Sequence, residues 1–314
     1  MFSNRVLIIG ITGFAGSYLY KHLSNNRDYD IYGTFYQNDK KADGFNKAEL
    51  YQCDINDVDS IEHVLKQCKP EYIFHLAACV NVHKSFINPM PIFQTNVMGT
   101  VNVLEAIRKT NPNCRILLTG SAEEYGKISH KMMPIKETYT LNPISPYGLS
   151  KKMQEELGIL YHKTYGLNIV ISRTFHYSGP HQPLGFVFSD FAKQIVDVKN
   201  NKQDYIKVGN LDAKRDFTDI RDVVSAYVAL MEYGKIGEVY NVCSSHSVSI
   251  KDILDMMISY SEVDIEVVLD ENKLRPSDIP DFVGDNNKLK KDTGWKQQFS
   301  IKETVNDVLN SWIT

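Results

Sequence analysis

Compact apolar runs alternate with amphipathic segments along the first half of the chain. The runs 5–10 (RVLIIG), 31–36 (IYGTFY) and 71–78 (EYIFHLAA) are typical of strands that are buried on both faces of a sheet. Between them, residues 14–23 and 58–68 repeat apolar side chains at helical spacing. This alternation predicts an α/β fold in which a parallel sheet carries helices on both faces.

The same pattern continues further along the chain. Residues 114–120 and 167–174 predict two more strands, 48–52 (AELYQ) is a short strand-like stretch, and long helices are expected near 89–109 and 146–165. Ligands of parallel sheets bind beyond the carboxyl ends of the strands. Chemistry is therefore expected in the loops that follow the strands.

The alternation loosens after residue 175. A stretch rich in Gly and Pro, 178–186, comes first. Short strands then separate helices that are predicted near 187–199, 219–233, 249–260 and 301–312. We interpret 1–175 as one domain and 176–314 as a smaller lobe that is interleaved with the last strands of the sheet.

Composition narrows the classes of function. The chain has 314 residues, 43% of them hydrophobic, with a net charge of -3, so neither nucleic acid nor an anionic membrane is an expected partner. Its five cysteines are widely spaced without a Cys-x-x-Cys, so neither a disulfide framework nor a metal site is expected. No signal peptide or membrane span is predicted, and a cytoplasmic location is expected.

Three glycines follow the first strand and open the first helix. Gly10, Gly13 and Gly16 have the spacing Gly-x-x-Gly-x-x-Gly. In this pattern the first glycine permits a tight turn, the second lets the backbone approach a ligand, and the third lets helix and strand pack closely. A turn without a ligand is the alternative, but the strand–turn–helix context favours a dinucleotide whose diphosphate lies at the helix N-terminus.

The end of the second strand usually selects between NAD and NADP. Tyr36 occupies the deciding position and residues 38–41 (NDKK) follow, so both cofactors stay open. Asp54, in 53–57 (CDIND), has two equal interpretations. It accepts a hydrogen bond from the adenine amino group, or it forms an Asx turn that caps the next helix.

A tyrosine and a lysine lie four residues apart at the start of a predicted helix. Ser145 is a good N-cap and Pro146 suits the first helical position, which places Tyr147 and Lys151 on one face. A nearby ammonium lowers the pKa of a phenol, which would make Tyr147 a general acid or base. Such a pair also arises by chance on ordinary helices. Here Ser121 and the glycine turn are expected at the same edge of the sheet.

These motifs, with HLAA at 75–78, resemble the extended short-chain dehydrogenase/reductase family that acts on nucleotide sugars. The resemblance extends over nearly the whole chain, including 75–89, 95–106, 173–183 and 275–295. It implies a Rossmann doubly wound parallel sheet with a smaller C-terminal α/β substrate lobe. It also implies that Ser121 binds the reacting oxygen, Tyr147 transfers the proton and Lys151 holds the ribose and tunes Tyr147.

The same resemblance implies two sets of binding residues. Those for NADP or NAD are Gly10, Thr12, Gly13, Phe14, Ala15, Gly16, Tyr36, Asp54, Ile55, Leu76, Ala77, Ala78, Asn96, Tyr147, Lys151 and Phe175. Those for the nucleotide sugar are His83, Ser85, Glu123, His176, Val187, Lys193, Arg215 and Arg275. The three basic residues of the second set would bind the diphosphate, and a surface salt bridge is the alternative for each. A homodimer through a four-helix bundle is implied as well.

The stretch GSAEEYG, 120–126, bears on the reaction. Dehydratases of the family often place an acid and a base directly after the hydroxyl residue. Here Ala122 cannot transfer a proton, Glu123 remains a possible base or sugar-positioning group, and Glu124 is interpreted as facing solvent. Dehydration and 4-epimerisation stay open, as does a non-catalytic cofactor sensor.

Three segments favour reduction. Residues 120–126, 183–198 and 209–223 resemble the family's reductases, which reduce the C4 ketone of GDP-4-keto-6-deoxy-mannose to GDP-rhamnose with NAD(P)H. Thr174 and His176 stand where those enzymes usually have Pro and Asn, a departure that could change the sugar or the stereochemistry. Reduction of a nucleotide-linked 4-keto-6-deoxy sugar is the predicted activity.

Overall fold

The computed structural model describes residues 4–25, 29–37, 44–273 and 279–313, and a parallel sheet lies at its centre. The strands of the described residues, over all sheets and in chain order, are β1 (Asn4–Ile9), β2 (Tyr29–Phe35), β3 (Ala48–Gln52), β4 (Tyr72–His75), β5 (Arg115–Ser121), β6 (Asn168–Thr174), β7 (His176–Ser178), β8 (Tyr205–Val208), β9 (Lys214–Asp219), β10 (Val239–Val242), β11 (Ser247–Ser249) and β12 (Glu266–Leu269). Within the described residues, the order across the central sheet is β10-β6-β5-β4-β1-β2-β3, and all neighbours are parallel. Two small sheets, β11-β9-β7 and β12-β8, lie in the second half of the chain.

Helices cover both faces of the central sheet and build the second half of the molecule. They are α1 (Phe14–Ser24), α2 (Val58–Cys68), α3 (Val82–Ile87), α4 (Met90–Phe93), α5 (Gly99–Thr110), α6 (Pro146–Tyr165), α7 (Val187–Lys199), α8 (Ile220–Tyr233), α9 (Ile250–Ser261), α10 (Asn287–Thr293) and α11 (Ile301–Ile313). Single π or 3-10 turns occur at Gln94–Met98, Ala122–Glu124, His130–Met132 and Glu271–Lys273.

Strand β1 shows why the central strands have continuous apolar sequences. Val6 and Ile8 face a core that includes α1 and α8, whereas Leu7 and Ile9 face a second core that includes α2 and α5. Side chains alternate between the two faces of a strand, so both faces require apolar residues here. In the register of the sheet, Ile8 lies opposite Gly33 of β2 and Phe74 of β4. The doubly wound arrangement expected from the sequence is confirmed.

The chain after residue 175 contributes to two different cores. β10 joins the edge of the central sheet beside β6, and α8 packs against α1 on one face. In contrast, α7, α9 and α11 enclose a separate core that contains Phe188, Ile253 and Val308. This part of the chain therefore both completes the sheet and builds a second layer beside it.

The long helix expected near 89–109 is divided. A π-turn, Gln94–Met98, separates α4 from α5. Asn96 lies in that turn, and its amide donates to the carbonyl of Cys79 and to Ser150 Oγ, both at 3.0 Å. A π-turn adds a residue to one helical turn and often marks a functional position. Here it brings Asn96 to the loop after β4.

The state of the cysteines, the apolarity of the helices and the arrangement of possible metal ligands indicate what kind of protein this is. All five cysteines are free thiols. Among the described residues, no helix combines the length and the apolarity needed to cross a bilayer. In the same part of the chain, no group of three His, Cys, Asp or Glu side chains is arranged to hold a metal ion.

Candidate active site

The glycine turn joins the carboxyl end of β1 to α1. Gly10 has φ of +91°, a conformation that L side chains rarely adopt, and a Cβ there would lie 2.9 Å from the backbone nitrogen of Ala77. A Cβ on Gly16 would lie 2.2 Å from the Gly10 carbonyl oxygen. The first turn of α1 contains no acidic side chain, so the partial positive charge of its amides is not offset locally. This cradle fits the diphosphate of NAD or NADP.

The predicted cofactor residues lie around this cradle. Leu76, Ala77 and Ala78 follow β4, and the Leu76 amide donates to the Ile9 carbonyl at 3.0 Å. Both N–H groups of the Asn96 amide and its oxygen are engaged by Cys79 and Ser150. Asn96 therefore holds the loop after β4 against α6. Direct contact of these residues with a cofactor stays a prediction.

The adenosine end of the predicted site is only partly described. Tyr36 is exposed just past β2, and residues 38–41 lie outside the described residues. Asp54 Oδ1 accepts from the Asn56 amide at 2.9 Å, which is an Asx turn, while Asp57 is the residue that caps α2. Ile55 is buried against Gly99. The Asx-turn interpretation of Asp54 is therefore present, although the helix cap is supplied by its neighbour.

The start of α6 forms as the sequence predicts. Ser145 Oγ accepts from the Gly148 amide at 3.0 Å, and Pro146 occupies the first turn. Tyr147 and Lys151 are both buried beneath the end of β5. The Ser121 side chain lies close enough to the Tyr147 phenol to affect the pKa of that phenol. The structure thus brings the predicted tyrosine and serine together.

Lys151 is held by neutral acceptors. Its ammonium donates to the Thr119 carbonyl at 2.8 Å and to Gln154 Oε1 at 2.9 Å. Burial lowers the pKa of Lys151 to about 8, a shift that Glu124 opposes only in its ionised form. Lys151 is therefore charged at neutral pH but titrates just above it.

The expected lowering of the Tyr147 pKa is wrong. The pKa of this phenol is raised, because burial disfavours the phenolate and the neighbouring Tyr177, Glu123 and Glu124 act in the same direction. The nearby Ser121 hydroxyl lowers the pKa of Tyr147 by less. Tyr147 consequently retains its proton at neutral pH, which is the form that a proton donor requires.

The turn after β5 fixes the positions of the side chains in the stretch GSAEEYG. Ser121 Oγ accepts from the Glu123 amide at 3.2 Å, and Glu124 Oε1 accepts from the Ser121 amide at 2.6 Å. The interpretation of Glu124 as facing solvent is wrong, since its exposed fraction is 0%. Ala122–Glu124 is a single 3-10 turn, which returns the third residue after Ser121 to a place beneath β5. Glu123 is half-buried and Ala122 is buried among apolar residues.

The predicted sugar residues have mixed surroundings. Ser85 is buried and its hydroxyl donates to the Val82 carbonyl within α3, whereas His83 is exposed. His176 packs edge-on against Phe217, with ring centroids 5.7 Å apart. Val187 is half-buried at the first position of α7. The Ser85 hydroxyl donates within the helix but can still accept a hydrogen bond, and sugar binding by all four residues stays a prediction.

The three basic residues that are predicted to bind the diphosphate also have different surroundings. Lys193 is paired with Asp197 one turn along α7, the salt-bridge alternative. Arg215 donates to the carbonyls of Lys214 and Ile279 at 2.8 and 2.6 Å. The carboxylate of the adjacent Asp216 accepts from the amides of residues 244, 245 and 284. Arg275 lies outside the described residues.

Tyr177, which sequence reasoning missed, completes this region together with Thr174 and Phe175, which it named. Tyr177 stacks on Phe14 of the glycine turn, with ring centroids 6.2 Å apart, and acts on the pKa of Tyr147. Thr174 Oγ1 is 2.8 Å from the hydroxyl of Tyr227, so this departure from the family's usual Pro adds a buried polar contact. Phe175 is buried in a neighbouring aromatic cluster. The aromatic side chains that follow β6 in the sequence could have indicated that Tyr177 belongs to the site.

A groove of about 690 Å³ lies at the opposite, amino edge of the sheet. Its cationic lining residues are Arg5, Lys66, Lys69 and Arg115. Helices α2 and α5 end there, and Arg115 donates to the carbonyls of Leu230 and Gly234 at the end of α8. Cations at helix C-termini offset the partial negative charge of those ends. The fold therefore accounts for these charges, and the carboxyl edge is the candidate active site.

The family model described as GDP-mannose 4,6 dehydratase matches residues 7–308. The chain belongs to this family. GDP-6-deoxy-D-mannose reductase of Pseudomonas aeruginosa is 29% identical, over 99% of this chain and 97% of its own length. The solved structure of RMD from Pseudomonas aeruginosa complexed with NADPH has a TM-score of 0.88 and 28% identity, and the match covers 99% of both chains.

An epimerase is similarly close in fold. UDP-glucuronic acid 4-epimerase from Bacillus cereus, in complex with UDP-glucuronic acid and NAD, has a TM-score of 0.88 and 25% identity, with 98% of both chains covered. The family resemblance, the Rossmann-like fold and NAD(P) as cofactor are confirmed. The protein is an NAD(P)-dependent nucleotide-sugar enzyme of the short-chain dehydrogenase/reductase type.

Proposed function

We propose that the protein reduces the C4 ketone of a nucleotide-linked 4-keto-6-deoxy sugar, with GDP-4-keto-6-deoxy-D-mannose as substrate and GDP-D-rhamnose as product. The observation that carries this proposal is the position of Tyr147 beside Ser121. The residue directly after Ser121 is Ala122, which is apolar and cannot transfer a proton. Reduction requires one proton donor. Dehydration requires a further acid and base. The likeness to a GDP-6-deoxy-D-mannose reductase supports the same direction.

The chain's own residues have separate roles in this proposal. Tyr147 donates its phenolic proton to the ketone oxygen as negative charge develops there, and Ser121 donates a hydrogen bond to the same oxygen. Lys151 holds the ribose and stabilises the tyrosinate that remains. Bound NAD(P)H supplies the hydride to C4. One ketone, one hydride and one proton thus give one alcohol.

The surroundings of the sugar support two further roles. Glu123 is half-buried with its charge close enough to act on Tyr147, and we propose that it binds sugar hydroxyls. Arg215, which extends from β9, and Arg275 are proposed to bind the diphosphate. A guanidinium can donate two parallel hydrogen bonds to phosphate oxygens.

The test is a product-resolved NMR assay. The protein is mixed with GDP-4-keto-6-deoxy-D-mannose and with NADH or NADPH in turn, and Tyr147→Phe and Tyr205→Phe are compared. Tyr205 lies on β8 with its side chain exposed, so its variant is the matched control. Formation of GDP-rhamnose by the wild type and by Tyr205→Phe, but not by Tyr147→Phe, supports reduction. An unchanged keto sugar with both cofactors contradicts it, and cofactor binding without any turnover would indicate a sensor.

Glu123 also favours a second candidate, 4,6-dehydration, because it is a carboxylate within electrostatic reach of Tyr147. It would remove the C5 proton, although Ala122 leaves the departing hydroxyl without an adjacent acid. Incubation of GDP-mannose with oxidised cofactor distinguishes the two. Appearance of the 4-keto-6-deoxy sugar, and its loss in Glu123→Gln, would favour dehydration over reduction.

We propose a homodimer built on the outer faces of α5 and α6. The face of α6 presents Leu149, Met153 and Leu160 to solvent, with exposed fractions of 42%, 37% and 54%. Their spacing of four and seven residues places them on one stripe of the helix. Met98 is also exposed, in the π-turn that precedes α5. We place the reaction in the cytoplasm, where reduced nicotinamide cofactor and nucleotide sugars are both available.

A further inference from the structure

Glu124 is a buried acid to which the proposed reaction assigns no step. Its carboxyl group lies beneath the end of β5, where Oε1 accepts from the Ser121 amide at 2.6 Å. The fit there is close, since a Cβ on Gly120 would lie 2.5 Å from that same oxygen. Ser121 is therefore held on two sides: Glu124 binds its backbone amide, and its hydroxyl accepts from the Glu123 amide.

The charges around Glu124 do not pair with it. Arg173 of β6 binds Glu155 of α6 through two hydrogen bonds of 2.8 and 2.7 Å. Its remaining donor atom binds the Tyr125 hydroxyl and the Glu137 carbonyl, both at 2.9 Å. Four of the five N–H groups of the guanidinium are thus engaged by acceptors other than Glu124. Within the described residues, neither it nor the Lys151 ammonium hydrogen-bonds Glu124.

The second oxygen of Glu124 has no hydrogen-bond partner and is fully buried. An ionised carboxylate at this place would have one hydrogen bond and no counter-ion in contact, which is costly in a buried site. Burial and the charge of Glu155 raise the pKa of Glu124 well above its usual range. Arg173, Lys151 and the Ser121 amide oppose this by less.

We propose that Glu124 is a positioning residue that holds Ser121 as a neutral carboxylic acid, with its proton on Oε2. The neutral form accepts the Ser121 amide through Oε1 just as the ion would. It adds no negative charge near Tyr147 when that phenol gives up its proton. The kinetic part of this inference rests on the proposed reduction, whereas the charge state of Glu124 does not.

Three variants test the proposal. Glu124→Gln keeps the shape and the Oε1 acceptor, and Glu124→Met keeps the length but removes the acceptor. Glu156→Gln is the control, because Glu156 is an exposed residue of the same helix as Glu155 and pairs with Lys152. Infrared difference spectra of wild type minus each variant at neutral pH report whether a protonated carboxyl group is lost. This readout needs neither substrate nor turnover.

The expected infrared result is a band of protonated carboxylic acid that is missing from both Glu124 variants and retained in Glu156→Gln. A carboxylate band in its place would overturn the proposal. If a Met variant fails to fold, Glu124→Gln still decides this point. Because the spectrum is independent of the reaction, it stays decisive even if the wild type reduces no sugar and the proposed function itself fails.

The kinetic result should separate positioning from bulk stability. Glu124→Met is expected to lower kcat by roughly 10- to 100-fold with little change in KM, since a misplaced catalytic hydroxyl slows the chemical step. Glu124→Gln should rescue most of that loss and leave the pH–rate profile in place. An ionised Glu124 would instead support the charge of Lys151. The Gln variant would then move the basic limb to lower pH, which contradicts a neutral Glu124.

Discussion

Replacement of Gly16 by alanine tests whether the glycine turn is built for a dinucleotide. The added Cβ would lie 2.2 Å from the Gly10 carbonyl oxygen and 2.7 Å from the Ile11 carbonyl oxygen. Both are backbone atoms, so the turn must move by roughly 1 Å to restore ordinary contact distances. Forced contacts of this kind cost about 1–3 kcal/mol. Alanine's better helix propensity offsets up to about 1 kcal/mol of this.

The net loss in the free energy of unfolding is therefore expected to be about 1.5 kcal/mol, within a range of about 0–3 kcal/mol. Displacement of one amide from the diphosphate removes a hydrogen bond to a charged group, and NADPH affinity should fall about 10- to 100-fold. Urea denaturation and a fluorescence titration with NADPH measure the two effects. Gly44→Ala is the matched control, because a Cβ there meets no atom of the described part of the chain within 4 Å. Equal stability and equal affinity of the two variants would refute the reasoning.

Three other predictions concern charge and assembly. Glu155→Gln should lower the free energy of unfolding by about 3–5 kcal/mol, because it leaves the buried Arg173 charge without its partner; a loss below about 1 kcal/mol in urea denaturation would contradict this. Since the pKa of Lys151 is about 8, its charge is lost as pH rises through that value, and kcat/KM should fall there; a profile that stays flat well above that pH would contradict this assignment. Leu149→Glu combined with Met153→Glu should halve the mass found by light scattering, whereas a wild type that is already monomeric would remove the dimer proposal.

The strands of the sheet were the most predictable elements, because each of their faces meets a core. Val6 and Leu7 point to opposite layers, so β1 required an unbroken apolar run that the sequence displays. The start of α6 was equally predictable, since Ser145 and Pro146 carry local signals of a helix N-terminus. In both cases the physical cause lies in neighbouring residues.

Other features depend on contacts that are distant in sequence. The π-turn around Asn96 leaves the apolar pattern of its helix almost unchanged, so the division between α4 and α5 could not be predicted from periodicity. Asp216 is adjacent to Arg215 along the strand, but successive side chains of a strand point to opposite faces. The acid therefore binds buried amides while the arginine extends away, and no local pattern indicates this separation.

Burial has one consistent effect on the titratable groups of the site. The pKa of His75 is lowered to about 3, that of Tyr147 is raised, and that of Glu124 is raised, so burial favours the uncharged form of each group. Lys151 is the exception among the four, since its pKa of about 8 leaves it charged. An isolated charge in a buried site acts strongly on any charge that forms beside it. When Tyr147 releases its proton, Lys151 is thus the group placed to stabilise the tyrosinate, and a neutral Glu124 leaves that effect undiminished.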